Sequence, residues 1–241
     1  MIIAGKNAVA EALSAGVAIK QLYVAKGAHD MDKLVSAARE RRVPVRFEER
    51  QALDRLSEGV RHQGVIAVGE EFEYTDFEQL AALNRGKDAA PFLLVLDGVE
   101  DPHNLGSILR VAECAGVDGV IIPSRRSASV NATVIRVSAG AAAHVKVAKV
   151  GNVNDAIRRL KEEFFKVYCA DMGGEPMYGA DYSGAVALVI GGEGSGVSRL
   201  TAKLCDRSLS IPQFGKVNSL NASVACGILC YEAVRARGGM K

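Results

Sequence analysis

The run Phe92-Leu93-Leu94-Val95-Leu96-Asp97 constrains this chain more than any other segment. It carries no polar residue until its last position, so neither side of a strand made from it can face water. A strand buried on both faces belongs inside a sheet covered by helices on each side. Val186-Ala187-Leu188-Val189-Ile190 has the same character. Shorter apolar runs at 119–122, 145–147, 166–170 and 209–211 alternate with helical stretches at 106–115, 131–138, 153–163, 197–204 and 221–237. Strands alternating with helices give an α/β fold with a parallel sheet. In such sheets ligands bind beyond the carboxyl ends of the strands, which directs attention to the segments following each run.

Upstream, residues 1–70 form a separate small α/β block, with strands expected at 21–24, 45–47 and 64–68. Asn7 is placed to cap a helix through Ala15, and Asp30 to cap one through Arg41. Between Gly69 and Ala90 apolar periodicity fades and Glu70, Glu71, Glu73, Asp76 and Glu78 gather, which predicts a linker at 71–90 with one short helix. The remainder, 91–241, is the larger domain.

Composition excludes several function classes. The net charge is +2, from 30 basic and 28 acidic residues, which is compatible with nucleic acid without announcing it. The cluster Arg39, Arg41, Arg42, Arg46 and Arg50 is interleaved with Glu40, Glu48 and Glu49 and reads as a solvated helix face and its turn. No apolar run approaches membrane-spanning length, and Lys6 and Glu11 interrupt the opening Met1-Ile2-Ile3, so neither membrane span nor signal peptide is expected and the compartment is expected to be cytoplasmic. The cysteines (114, 169, 205, 226, 230) contain no CxxC pair, and His29, His62, His103 and His144 show no ligand spacing, so no metal is expected.

Two segments stand where apolar strands give way to turns: Gly191-Gly192-Glu193-Gly194-Ser195-Gly196, and Ile211 to Ser223 with Ser219-Leu220-Asn221 at its heart. The glycine turn is not a dinucleotide fingerprint, because its glycines are evenly spaced. It lacks the lysine of a phosphate-binding loop, since Val197 stands there, and no serine in the chain has the flanking glycines of a nucleophile elbow. What remains is a backbone-walled turn holding one carboxylate, Glu193.

Three islands, Asp97–Arg110, Gly191–Gly196 and Ile211–Ala225, follow in order: Asn104-x-Gly106-x-x-x-Arg110, then Gly192-Glu193-Gly194-x-Gly196, then Ser219-Leu220-Asn221. Together they resemble the SpoU (TrmH-type) family of S-adenosylmethionine-dependent RNA ribose 2′-O-methyltransferases, members of the SPOUT superfamily. Ile3-Ala4-Gly5-Lys6-Asn7-Ala8-Val9 and His62-Gln63-Gly64-Val65 resemble the family's L30e-like substrate-binding domain. The likeness is greatest to members that methylate a guanosine ribose in large-subunit ribosomal RNA, with a transfer RNA enzyme, another ribosomal site or a non-catalytic RNA-binding relative as alternatives. Ala143 departs from the pattern, because relatives often carry an acid there.

The resemblance implies a deep trefoil knot in the carboxy-terminal domain, a homodimer, S-adenosylmethionine as methyl donor and ribosomal RNA as partner. It assigns Gly191, Gly192, Gly196, Ile211 and Leu220 to cofactor binding, and Asn104, Arg110, Glu193, Ser219 and Asn221 to catalysis. Because a guanidinium is effectively never deprotonated, Arg110 is expected to lower the hydroxyl pKa or anchor a phosphate rather than act as a literal base, with Asn104 and Glu193 orienting it. Ser219 and Asn221 are also expected to cap the last helix. His103 ranks second as a base.

Overall fold

The structure is a computed structural model that describes residues 1–14, 17–57, 59–86, 90–216 and 219–238. The helix end expected at Ala15 and the Val217-Asn218 part of the third island lie outside the described residues. The chain divides into two compact units, the first made of Met1–Glu73 with Val130–Gly140, the second of Tyr74–Ser129 with the chain from Ala141 on.

In the first unit, β1 (Ile2–Ala4), β2 (Ile19–Ala25), β3 (Val45–Glu48) and β4 (Val65–Gly69) form a sheet in the order β1-β4-β2-β3. β4 runs antiparallel to both its neighbours, and β2 pairs with β3 in parallel. Helices α1 (Lys6–Ser14), α2 (Asp32–Glu40) and α3 (Arg50–Leu56) cover it. Asp30 does not cap α2: it holds a left-handed φ of 59°, and Met31 precedes the helix without a side-chain cap. The helix expected near 131–138 forms as α6 (Ala132–Val137) with Asn131 as its cap, and its Ala132 and Ile135 pack into this unit's core beside Val9 and Leu13. Its apolar stripe completes the core of the first unit rather than that of its neighbours in sequence.

The second unit is built on six parallel strands in the order β10-β8-β9-β5-β6-β7. They are β5 (Phe92–Asp97), β6 (Gly119–Pro123), β7 (Val147–Val150), β8 (Lys166–Pro176), β9 (Val186–Gly191) and β10 (Arg207–Ser210). The central strands are buried on both sides, as their sequences demand. Leu93, Val95, Ala187 and Val189 pack in one cluster with Leu80, Ile157 and Leu160, from α4 (Phe77–Ala81) and α7 (Val153–Glu162). By strand alternation Leu94, Leu96, Leu188 and Ile190 face the other side, where α5 (Pro102–Cys114) and α9 (Ala222–Ala236) pack together. Residues 74–85, expected as a linker, carry that short helix α4, and its Leu80 lies so close to Gly119 that a Cβ there would come within 2.7 Å.

The amino-end edge of this sheet is tied by Arg237. Its guanidinium donates to the carbonyls of Tyr182, Ala90 and Gly184 and stacks over the Phe92 ring. Burial lowers its pKa.

Candidate active site

The carboxyl ends of β9 and β5 meet through glycine because nothing larger fits. A Cβ on Gly192 would lie 1.9 Å from the Gly98 carbonyl oxygen, and one on Gly191 would lie 2.0 Å from the Gly196 carbonyl carbon. Gly192 N donates to Asp97 O at 2.9 Å, and Gly196 N returns to Gly192 O at 3.1 Å, closing the turn. Gly194 and Gly196 have φ of 80° and 63°, and a Cβ on either would meet no atom within 4 Å. The first pair of glycines permits close approach, while the second leaves open space beside the turn. Ser198 then caps α8 (Arg199–Leu204), while its own N–H is held by Asp97 Oδ2 at 3.0 Å.

This turn delivers Glu193 to two asparagines from the other islands. Asp101 accepts from His103 N at 2.9 Å and starts α5 with Pro102 in its first turn, which turns Asn104 inward to 5% exposure. Asn221 caps α9, its Oδ1 accepting from Ser223 N at 2.9 Å and Val224 N at 3.3 Å. With Oδ1 committed to the helix, its Nδ2 faces away and donates to Glu193 Oε1 at 2.7 Å and to Asn104 Oδ1 at 2.9 Å. Asn104 Nδ2 donates to the same Glu193 oxygen at 2.9 Å. Two amides and one carboxylate thus close a ring across three distant segments. Glu193 Oε1 takes two charge-assisted bonds, which fix the carboxylate without a cation.

Beside the ring is a cavity of about 590 Å³ walled by the middle of β8, the ends of β9 and β10 and the start of α9. Its size suits one nucleoside-sized ligand. Gly191, Gly192, Gly196, Ile211 and Leu220, the expected cofactor positions, all line it, as do Glu193, Ser219 and Asn221. Asn104 reaches it through the ring. Arg110 does not join this group: it is exposed and makes no hydrogen bond or ion pair with a described residue. The expected orientation of Arg110 by Asn104 and Glu193 is therefore absent here, because at 3.6 residues per turn the two positions point to different sides of α5. Asn104 faces the core and Arg110 faces out. His103 is exposed and outside the lining.

Ala170, Asp171 and Met172, from the middle of β8, also line the cavity and were not among the expected residues. The signal was available, since they lie at the end of the strand expected at 166–170 and just beyond it. Deeper in β8, Cys169 is wholly buried with its Sγ 3.2 Å from Ser208 Oγ. A hydrogen bond with Cys205 brings its thiol down to about 7 against the opposing effect of burial, and the same contact pushes Cys205 up. All five cysteines are free thiols, and Cys226 and Cys230 are buried with their sulfurs 3.8 Å apart. Among the described residues no group of three His, Cys, Asp or Glu could hold a metal, and no helix is long and apolar enough to cross a membrane.

The first unit has its own cleft, of about 500 Å³, bordered by Lys6, Arg50, Asp54 and Arg61–Gln63. The two segments singled out in the sequence meet here: Gly5 N donates to Val65 O and Lys6 N to Gln63 Oε1, each at 3.1 Å. His62 is 4% exposed, with Nε2 bonded to Asp54 Oδ1 at 2.8 Å and Nδ1 accepting from Gly64 N at 3.0 Å. That second contact makes Nε2 the protonated nitrogen. The histidine braces the loop, leaving Lys6, Arg50 and Arg61 as the cations at its rim.

Fold and cavity together define an α/β domain with a glycine-walled cavity at the carboxyl ends of a parallel sheet. Comparison with known proteins specifies the class. Residues 91–231 match the SpoU rRNA Methylase family, and residues 2–75 match the family described as RNA 2′-O ribose methyltransferase substrate binding. A relative in Staphylococcus haemolyticus, assigned to the TrmH family of tRNA/rRNA methyltransferases, is 41% identical over 98% of this chain and 96% of its own length. The SpoU methyltransferase AviRb of Streptomyces viridochromogenes, solved with AdoMet, superposes over 100% of this chain and 91% of its own with a TM-score of 0.70 at 23% identity. The AdoMet-bound rRNA methyltransferase of Sinorhizobium meliloti covers 97% of this chain and 86% of its own at 25% identity, with a TM-score of 0.64. The chain belongs to the SpoU (TrmH-type) family of RNA methyltransferases, whose members use S-adenosylmethionine.

Proposed function

We propose that this protein methylates the ribose 2′-hydroxyl of a guanosine in the P-loop of large-subunit (23S) ribosomal RNA, in the cytoplasm and as a homodimer. The observation that carries the reading is the ring of Asn104, Glu193 and Asn221, which gathers the three sequence islands at the edge of one glycine-walled cavity. The cavity fits S-adenosylmethionine in volume, in its open space beside Gly194 and Gly196, and in its main-chain wall. Gly191, Gly192, Gly196, Ile211 and Leu220 would hold the cofactor. Once bound, it supplies an electrophilic methyl group on a sulfonium.

The chain's own residues then have distinct tasks. Glu193, fixed by its two amide donors, places negative charge beside the cationic end of the ligand, where a partly dry site strengthens attraction. Ser219 and Asn221 shape the wall while Asn221 holds α9 in place. Arg110, with its guanidinium uncommitted, anchors the phosphate beside the target ribose or lowers the pKa of its hydroxyl. Alignment of the reacting groups supplies roughly 7–11 kcal/mol of the barrier in reactions of this type.

Residues 1–70 serve as the L30e-like RNA-binding domain, with the Lys6, Arg50 and Arg61 cleft contacting the RNA, and 91–241 as the methyltransferase domain joined through 71–90. The guanosine assignment rests on the sequence likeness in the Gly5–Val9 and His62–Gly64 segments, of which Lys6, His62 and Gln63 line that cleft. The exposed Val224 and Tyr231 of α9 and the exposed Tyr178 give a homodimer apolar surface to cover. The trefoil knot of the SPOUT fold belongs to this reading through the family match over residues 91–231.

The test is methyl transfer by the purified protein from labelled S-adenosylmethionine to separated ribosomal and transfer RNA. Label on a guanosine 2′-oxygen of 23S RNA is expected, lost in Arg110→Ala while cofactor binding persists. Label confined to transfer RNA would overturn the substrate, and no label on either RNA would overturn the activity.

A further inference from the structure

The loop after β6, Ser124-Arg125-Arg126-Ser127-Ala128-Ser129, has no part in the site above, yet it stands on the same edge of the sheet. Ala128 N donates to Val99 O at 2.9 Å, joining it to the loop after β5, and Asp97 O at the end of β5 accepts from Gly192 N of the glycine turn. Two strand spacings therefore separate it from Glu193, roughly 10 Å. We infer that this loop grips the phosphates of the RNA strand next to the target ribose, through Arg125 and Arg126; the inference rests on the RNA-methylating function proposed above.

The charge pattern of the second unit carries the argument. On the amino-end edge of the sheet the arginines are engaged: Arg85 and Arg159 bind Glu163, Arg207 lies 3.5 Å from Glu175, and Arg237 holds three carbonyls. On the carboxyl-end edge, Arg125 and Arg126 are exposed and make no ion pair or hydrogen bond with any described residue. The acids of the adjoining loop form no ion pair with them. Asp101 is spent on the cap of α5, and Glu100 bridges to neither arginine. An isolated surface arginine is ordinarily just solvated. Two in succession, uncommitted on the ligand-binding edge of an RNA methyltransferase, present a planar donor fork suited to phosphate.

The loop is also held stiffly. Ser124 N and Oγ both donate to Val150 O, at 2.8 and 3.1 Å. Lys149 reaches Ser129 Oγ at 3.2 Å while lying 4.1 Å over the Tyr74 ring. Between these anchors Arg126 takes a φ of 55°, a left-handed backbone that a non-glycine residue keeps only when its surroundings enforce it. The N–H groups of Arg125, Arg126 and Ser127 donate to no described residue, so backbone donors stand beside the guanidiniums for an oxyanion. Contacts of this type fix register along the strand without reading bases.

The full-length pair R125A/R126G tests this, glycine being chosen because it accepts the left-handed φ and so spares the fold. Binding of the RNA substrate should weaken about tenfold or more, on the scale of charge-assisted bonds to phosphate. The slope of log affinity against log salt should fall by about 1.4, two single-strand phosphate contacts' worth. KM for RNA should rise while kcat and S-adenosylmethionine affinity stay near wild type. R125K/R126K should restore the salt slope and part of the affinity. An unchanged salt slope, or a fall in kcat with KM unchanged, overturns the inference. Failure of the wild-type protein to methylate any RNA would instead overturn the function it rests on.

Discussion

Asn221 divides one amide between a helix cap and the site, and replacing it separates the two. Asn221→Ala removes the cap on Ser223 N and Val224 N, worth about 1 kcal/mol. It also removes the 2.7 Å bond to the Glu193 carboxylate and leaves the inward-facing Asn104 Oδ1 without its donor. A bond to a charged group contributes about 1.5–3 kcal/mol, so about 3 kcal/mol of local stability in all is expected to go. Hydrogen exchange of the peptide covering the first turn of α9 reads this directly. At about 1.4 kcal/mol per factor of ten, exchange should accelerate roughly a hundredfold. Asn221→Ser keeps a good cap but cannot span to both Glu193 and Asn104, so it should recover only about 1 kcal/mol. Asn221→Asp keeps the cap and sets a second carboxylate against Glu193. Its α9 protection should therefore rise as pH falls and one of the two acids takes a proton. Full recovery by serine would show that the ring contributes nothing, and pH-independent protection in the aspartate variant would show that the two side chains do not meet.

The glycines of the turn should differ sharply: Gly192→Ala drives a Cβ to 1.9 Å from the Gly98 oxygen and should abolish cofactor binding or folding, seen by calorimetric titration. Gly194→Ala meets only open space at a φ of 80° and should cost about 1–3 kcal/mol of strain with cofactor binding retained. A fragment beginning at Ala90 should be markedly less stable to urea than one beginning at Phe72, because it loses Leu80, whose burial is worth about 1.5–3 kcal/mol. Glu163 is held at about 2, first by its hydrogen bond with Arg85 and then by that with Arg159. Its folded pKa lies below the unfolded value of about 4.3, so its contribution is complete above that pH and fades as pH falls toward 2. Glu163→Gln should be less stable at neutral pH and flatten this part of the melting-temperature profile.

Much of this architecture was legible because it follows from local chemistry. The run at 92–97 demanded burial on both faces, and Asn221, expected at the start of the last helix as a cap, caps it. Other features depend on partners that sequence does not index. Ala132 and Ile135 form an ordinary apolar stripe, and nothing in the stripe says that its core lies with Val9 and Leu13. Leu80 sits among acids, so its local surroundings suggested a linker although Gly119 and the parallel sheet enclose it. β8 was expected to stop at Ala170, yet it runs to Pro176, and Gly174 lies in it with no space for a Cβ, 2.4 Å from the Ser208 carbonyl oxygen. The members of the ring were each named from the resemblance. Their mutual hydrogen bonds, and the separation of Arg110 from them, needed the fold.

The most direct measurement is ribose-methylation mapping of ribosomal RNA by resistance to alkaline cleavage, since a 2′-O-methyl group removes the internal nucleophile of strand scission. Large-subunit RNA from cells lacking this protein should regain cleavage at one P-loop guanosine. The wild-type protein should restore the resistance with S-adenosylmethionine, and the Arg110→Ala variant should not. An unchanged cleavage ladder in the deleted strain, or restoration by the Arg110 variant, would contradict the account.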